Sequence, residues 1–466
     1  MKKRLVIGSA VGLLLVAVAA VAALYLGARR DVTTTSDEAS RIFKEAVENE
    51  RRFYFKEARD GYAKALELDP QFAEAMLGLA RMTDGDQGLA LVLRAAKQRD
   101  RLTDRERLHV DLQLALRQGK ADDALKVARQ IHESHPDDIR GAMYLAHHEI
   151  QAGNTERAVQ IFSEVLAVEP NNADAYNQIG YFYAYRGEYD KAIENLRKYQ
   201  FMAPDQANPY DSLGEIQAHS GHYDEAIENL NHALKLKPDF YESYKHLGVA
   251  YEGKGDYALA IANYRKAAQG ALNDEMRRDL LRQALRAAFA AGDAAAAREI
   301  VAQYRSLPGD THPEVSRLGL DAVLDIMEGR PAQAEARLKE ALPTLQQAYA
   351  KRPEAEKPAD GKSFYDAGWT YLMAQALIRQ GRRDEALPYC EQLVDPPQKW
   401  SSFDGRRWVY AGRGLLAELL ARNGDLDRAE KLLAENRKWN PSWAPTRSSE
   451  QVVAQLRREK VLAASK

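Results

Sequence analysis

Residues 173–204 read ADAYNQIGYFYAYRGEYDKAIENLRKYQFMAP, two apolar stretches of helical period separated by a glycine. The first runs through Tyr176, Ile179, Gly180 and Tyr183, and the second through Ala192, Ile193, Leu196 and Tyr199. Spacings of three and four place each set on one face of a helix. Gly187 follows the first helix, where a left-handed backbone suits glycine, and Asp190 stands as the expected N-cap of the second. Pro204 ends the unit because proline cannot extend a helix. Gly180 and Ala192 allow the two helices to approach closely, with Tyr183, Leu196 and Tyr199 filling the seam. A hairpin this short cannot bury its own apolar face, so it needs neighbours.

The neighbours are in the chain. Gly153/Ala158, Gly187/Ala192, Gly221/Ala226 and Gly255/Ala260 repeat at a step of 34 residues, and Pro136, Pro170, Pro204 and Pro238 keep that step. A period this long means one supersecondary unit copied along the chain. Upstream, Gly119/Ala124 and GYAKALELDP at 61–70 fit the pattern, while residues 71–102 match it in length alone. Downstream, Gly292/Ala297, Gly329/Ala334, Gly381/Ala386 and Gly424/Ala429 follow at intervals of 37, 37, 52 and 43.

These glycine, aromatic, alanine and proline positions resemble the tetratricopeptide repeat from about residue 38 to 445. The resemblance implies an all-α, right-handed α-solenoid of about eleven helix-turn-helix repeats, here preceded by one transmembrane helix. Composition agrees, with 45% hydrophobic and 29% charged residues in a helix-forming mixture. The boundaries expected are a basic n-region at 1–4, a span at 5–28 and a polar tether at 29–38. A regular array at 39–270, an irregular one at 271–445 and a capping helix and tail at 446–466 follow. Residues 351–363, rich in proline and charge, read as a loop between units.

Residues 5–28 carry no charge and lie between Lys2, Lys3, Arg4 and the pair Arg29, Arg30. As a helix at ~1.5 Å per residue this run spans roughly 36 Å, enough for a ~30 Å hydrocarbon core. The rival is a signal peptide cleaved after Ala22 or Ala23, which would leave an apolar stub on the mature chain and needs an apolar core of only ~7–15 residues. The length favours an uncleaved anchor. The short basic tail resembles a signal anchor, which implies a single-pass bacterial inner-membrane protein with periplasmic repeats.

Chemical motifs are few. With 66 basic and 68 acidic residues there is no basic excess of the kind that nucleic-acid binding requires. No phosphate loop, GxSxG elbow, CxxC, HExxH or calcium loop occurs, so no catalytic residue, cofactor or metal is assigned and the chain is read as non-enzymatic. His219 and His222 share a helix face, yet no third ligand stands at metal-binding spacing. The lone Cys390 excludes an intramolecular disulfide and reads as a buried thiol.

Function is therefore expected in the groove. In this family the first helix of each pair lines the concave surface. Carried onto this chain, that face presents Arg140, Met143 and His147, then Asn177, Tyr181 and Tyr185, then Asp211, Glu215 and His219, then Lys245 and Glu252. Tyr181 and Tyr185 serve either a partner or packing between repeats. All five tryptophans lie after residue 368. Trp400, Phe403 and Trp408 mark either the packing of irregular repeats or a C-terminal docking surface. The chain resembles single-span envelope repeat proteins, which implies an anchored scaffold that binds a protein or peptide partner and supports a larger complex. The alternatives are a permanent structural subunit of a membrane complex, or a secreted soluble repeat protein if residues 1–23 are removed.

Overall fold

The computed structural model describes residues 32–52, 54–83, 85–152, 154–310, 313–350, 367–394 and 403–464. Among them there are helices and no strand. The described residues divide into two compact units, one ending at Asn172 and the other beginning at Ala173.

The first unit stacks four helical hairpins. They are α1 (Asp37–Arg51) with α2 (Phe55–Leu68), α3 (Ala73–Arg81) with α4 (Gly85–Ala96), α5 (Asp104–Arg117) with α6 (Ala121–Ser134), and α7 (Ile139–Gln151) with α8 (Thr155–Val168). The poorly matching residues 71–102 thus form a hairpin, with a short first helix and a 3-10 turn at Arg99–Arg101 before the next unit.

The second unit stacks seven hairpins and a last helix. Its regular part is α9 (Ala173–Tyr185) with α10 (Tyr189–Met202), α11 (Ala207–Ser220) with α12 (Tyr223–Leu236), and α13 (Tyr241–Lys254) with α14 (Tyr257–Gly270). The longer-stepped part is α15 (Asp274–Ala291) with α16 (Ala294–Arg305), α17 (Pro313–Met327) with α18 (Pro331–Ala350), α19 (Ala367–Arg379) with α20 (Arg383–Val394), and α21 (Phe403–Arg422) with α22 (Leu426–Trp439). Helix α23 (Ala444–Ala464) closes the array, burying Val453 and packing Leu456 against the core beneath.

Local chemistry explains these elements. Thr103 and Glu106 form a reciprocal capping box at α5, and Asn273 caps α15 by accepting from Met276 N–H, which satisfies donors that a helix start leaves open. Gly187 takes the expected left-handed conformation, φ +79°. At Gly180 a methyl group would stand 2.7 Å from Leu196 Cγ, so the absent side chain is what lets α10 seat on α9. Leu196 and Tyr199 are buried in the seam with Ala192, and the same cluster continues into Leu213 and Ile216 of the next hairpin. Truncating Leu196 to alanine would cost about 2–5 kcal/mol through lost transfer energy and the cavity left behind.

Two local expectations are corrected. Asp190 lies inside the first turn of α10, whose N-cap is Glu188 without a side-chain cap bond. Tyr176 and Tyr183 are half-buried at the rim of the seam, each with a lysine of α10 over its ring, Lys198 at 5.9 Å and Lys191 at 5.2 Å. Cys390 is fully buried, and that burial pushes its thiol up to about 12.

Among the described residues no helix is long and apolar enough to cross a membrane. The apolar run at 5–28 lies outside them, as do the inserted residues 351–366 and 395–402.

Candidate functional site

Helix-to-helix stacking brings successive first helices side by side, so residues one repeat apart become neighbours. In the first unit α3, α5 and α7 form a cleft of ≈250 Å³ lined by Leu77, Leu112, Leu116, Met143, Tyr144 and His147, with Arg81 and Arg140 at its polar edge. Of the groove residues expected there, Met143 is half-buried and His147 exposed, its Nδ1 2.9 Å from the Met143 carbonyl.

Beneath that cleft lies a buried charge network. His109 sits between two carboxylates, Nδ1 2.6 Å from Glu74 Oε1 and Nε2 2.8 Å from Asp138 Oδ2. Arg140 donates to Glu74 at 3.1 Å, and Arg81 donates to both oxygens of Glu50 at 2.8 and 2.6 Å. Burial alone would raise the Glu74 carboxyl, but Arg140 and His109 hold it down at about 2. Burial would likewise lower His109, and Glu74 and Asp138 hold it above the ordinary histidine range. A charge removed from such a buried set costs roughly 3–5 kcal/mol. The network therefore fixes the floor of the cleft and orients Arg140 at its edge.

In the second unit the structure joins residues that the sequence placed on one face. Tyr181 donates to Glu215 at 2.5 Å and its ring lies 6.4 Å from that of Tyr185. Burial, then the Glu215 charge, push the Tyr181 phenol well above its ordinary value. Asp211 accepts from Ser243 at 2.7 Å and pairs with His246 Nδ1 at 3.0 Å, while His246 Nε2 lies 3.4 Å from Glu215. Glu252 is clasped by Arg286 at 3.1 and 2.9 Å, and also accepts from Tyr264 at 2.8 Å and Arg407 at 3.3 Å. Asn177, Asp211 and Glu252 are accordingly buried, whereas Tyr181, Tyr185, Glu215, His219 and Lys245 stay partly exposed. Trp400 lies outside the described residues. So do the side chains of Phe403 and Trp408, whose backbones fall in α21.

Sequence reasoning missed His246, Arg286 and Arg407. Two had a signal: Arg286 stands one 34-residue step after Glu252, and His246 stands 35 residues after Asp211, the same separation as Glu74 and His109. It also missed a larger cleft, ≈580 Å³, walled by α15, α17 and α19 with α16 and α18 below. Arg282, Arg286, Phe289, Trp369, Tyr371 and Leu372 are among its lining. Arg379 lies 5.8 Å over the Phe289 ring, and Trp369 Nε1 donates to the Leu338 carbonyl at 2.8 Å. The aromatic wall can bury an apolar anchor, while Arg286 is held by Glu252 and Arg282 by Asp279, which also lines the cleft.

Solved structures with similar helical arrangement include the APC/C hetero-tetramer Cut9–Hcn1, at 15% identity and TM-score 0.46 over 92% of this chain and 78% of that one. Yeast Tom70 gives 14% and 0.40 over 92% and 96%, and MamA gives 24% and 0.29 over 34% and 93%. No sequence among the curated proteins matches the chain. Tetratricopeptide-repeat family models match residues 115–179 and 149–216, and again 369–392 and 411–435, and a TPR-repeat model matches 214–255. Residues 115–255, 369–392 and 411–435 are thus matched as tetratricopeptide repeats, and the chain contains an array of them.

Proposed function

We propose that the chain is a membrane-anchored interaction scaffold that holds a segment of a protein partner on its first-helix faces and supports assembly of a bacterial cell-envelope complex. The tetratricopeptide fold is typically a non-catalytic interaction module. The observation that carries the reading is that each unit has a cleft walled by three successive first helices, apolar in its centre and edged by arginines already paired with carboxylates. That chemistry suits a segment presenting large apolar anchors, with hydrogen-bonding groups at the rim. Photo-cross-linking from first-helix positions tests it, and partner adducts confined to second helices would defeat it.

The anchor is residues 5–28, an uncharged run long enough to span, with the repeats on the periplasmic side of the inner membrane. Carbonate extraction should leave the chain with the membrane pellet. Its full recovery in the soluble fraction would support the secreted form lacking residues 1–23. A second reading, a permanent structural subunit, is favoured by a second-helix cleft of ≈600 Å³ in which Phe201, 84% exposed on α10, stands with Ile193 and Met202, an apolar patch outside the first helices.

A further inference from the structure

The repeat step places Gly187, Gly221 and Gly255 at equivalent turns between the first and second helices of three successive hairpins. One segment of the same unit runs across all three. A methyl group at Gly187 would stand 2.6 Å from the Trp439 ring, and one at Gly221 would stand 2.9 Å from Asn440 Oδ1 and 3.4 Å from Pro441 and Ser442. One at Gly255 would stand 3.3 Å from Ala444 Cβ. The corresponding left-handed glycines elsewhere, Gly119, Gly292, Gly329, Gly381 and Gly424, face open space. Among the described residues, left-handed geometry therefore explains the turn glycines, and only at these three does the glycine also clear room for another piece of chain.

The contacts are specific. Asn440 Nδ2 donates to the Ala218 and His219 carbonyls at 3.4 and 3.1 Å, and Asn440 Oδ1 accepts from Tyr223 at 2.8 Å. Carbonyls at the end of a helix lack partners within it, so Asn440 caps α11 from 220 residues away. Ser442 N–H donates back to Asn440 Oδ1 at 3.2 Å, which holds the segment as a turn. Trp443 is buried in the core shared by Tyr223, Leu247 and Tyr264, and Arg447 donates to the Lys254 carbonyl at 3.3 Å. Arg407, buried on α21, adds hydrogen bonds to Tyr264 at 3.0 Å and Gln283 at 3.1 Å.

The geometry points to this row of turns as a second recognition surface, separate from the first-helix clefts, whose ligand is an aromatic–Asn–Pro–Ser–aromatic turn. In the single chain that ligand is its own Trp439–Trp443, bound in cis and closing the second unit on itself. Turn ridge and segment are complementary in shape, at the glycines, and in hydrogen bonding, through Asn440.

The test uses the full chain carrying Trp439→Ala with Asn440→Ala. Backbone amide exchange at residues 219–223 and 254–257 should quicken about tenfold or more against wild type. A fluorescent peptide of residues 437–445 should bind the variant and not the wild type, whose ridge is filled. The same peptide with alanine for Asn440 should not bind. A variant that keeps its helicity and native exchange at both turns overturns the proposal, and so does an opened variant that ignores the peptide. If the double variant fails to fold, Arg447→Ala replaces it. That change removes one exposed contact and should speed exchange at 254–257 alone, and unchanged exchange there counts against the latch.

Discussion

His246 is a buried imidazole with Asp211 and Glu215 on one side and Glu242 and Lys245 on its own helix. Burial would strip its proton, but the two facing carboxylates outweigh that and hold it at about 10. Because this lies above the ordinary 6.5, the protonated ring contributes stability that is complete below pH 6.5 and is lost as pH climbs through about 10. Glu242, raised by burial and then by the Asp211 charge to about 7, acts in the same direction between 4.5 and 7. Glu215 is pushed up by burial but held well below its ordinary 4.5 by His246, so its contribution is present above 4.5 and is lost as pH falls. The melting temperature of the second unit should therefore drop between pH 7 and 10, and His246→Gln should flatten that drop. Equal slopes for variant and wild type by calorimetry would contradict this account of the network.

At the scale of the hairpin, turn and seam are set by small residues whose effects can be separated. Gly292 faces open space at φ +71°, so Gly292→Ala should cost about 1 kcal/mol for the left-handed backbone alone. Gly221→Ala meets the same backbone penalty at φ +89° and also collides with Asn440, so its melting point should fall further. Identical losses would mean that the segment does not press on the turn. The hairpins were legible in the sequence because 34-residue spacing, helical apolar period and glycine stops all mark the same boundaries. Residues 71–102 were not, because α3 is short and packs through Gly78 against the Tyr62 ring, although Gly85 and Ala90 stand one 34-residue step before Gly119 and Ala124 and Gly85 is left-handed at φ +57°. For the candidate site, the face was legible and the burial was not. Asp211 and Glu252 lie on the expected helices, yet their partners come from the next repeat and, for Arg407, from 155 residues away. Complementary residues one step apart, such as Tyr181 with Glu215, could have been read as pairs, whereas no local period marks a contact that closes the unit.

Over the whole molecule, charge and apolar area are divided between two kinds of surface. Buried ion networks lock α1 to α3, α3 to α5 and the start of α7, α11 to α13 and α13 to α15, while the clefts keep apolar side chains open to a partner. The anchor proposed at 5–28 would hold such clefts at a membrane. The central claim is that partners are taken on first helices, and photo-reactive residues placed singly along the chain test it most directly. Positions Met143, His147, Arg282 and Gly319 sample the two clefts, and Lys126, Arg129, Lys198 and Glu299 sample second helices. Irradiation in the native host should give discrete partner adducts from the first set and few from the second. Adducts from the second set alone would contradict the account.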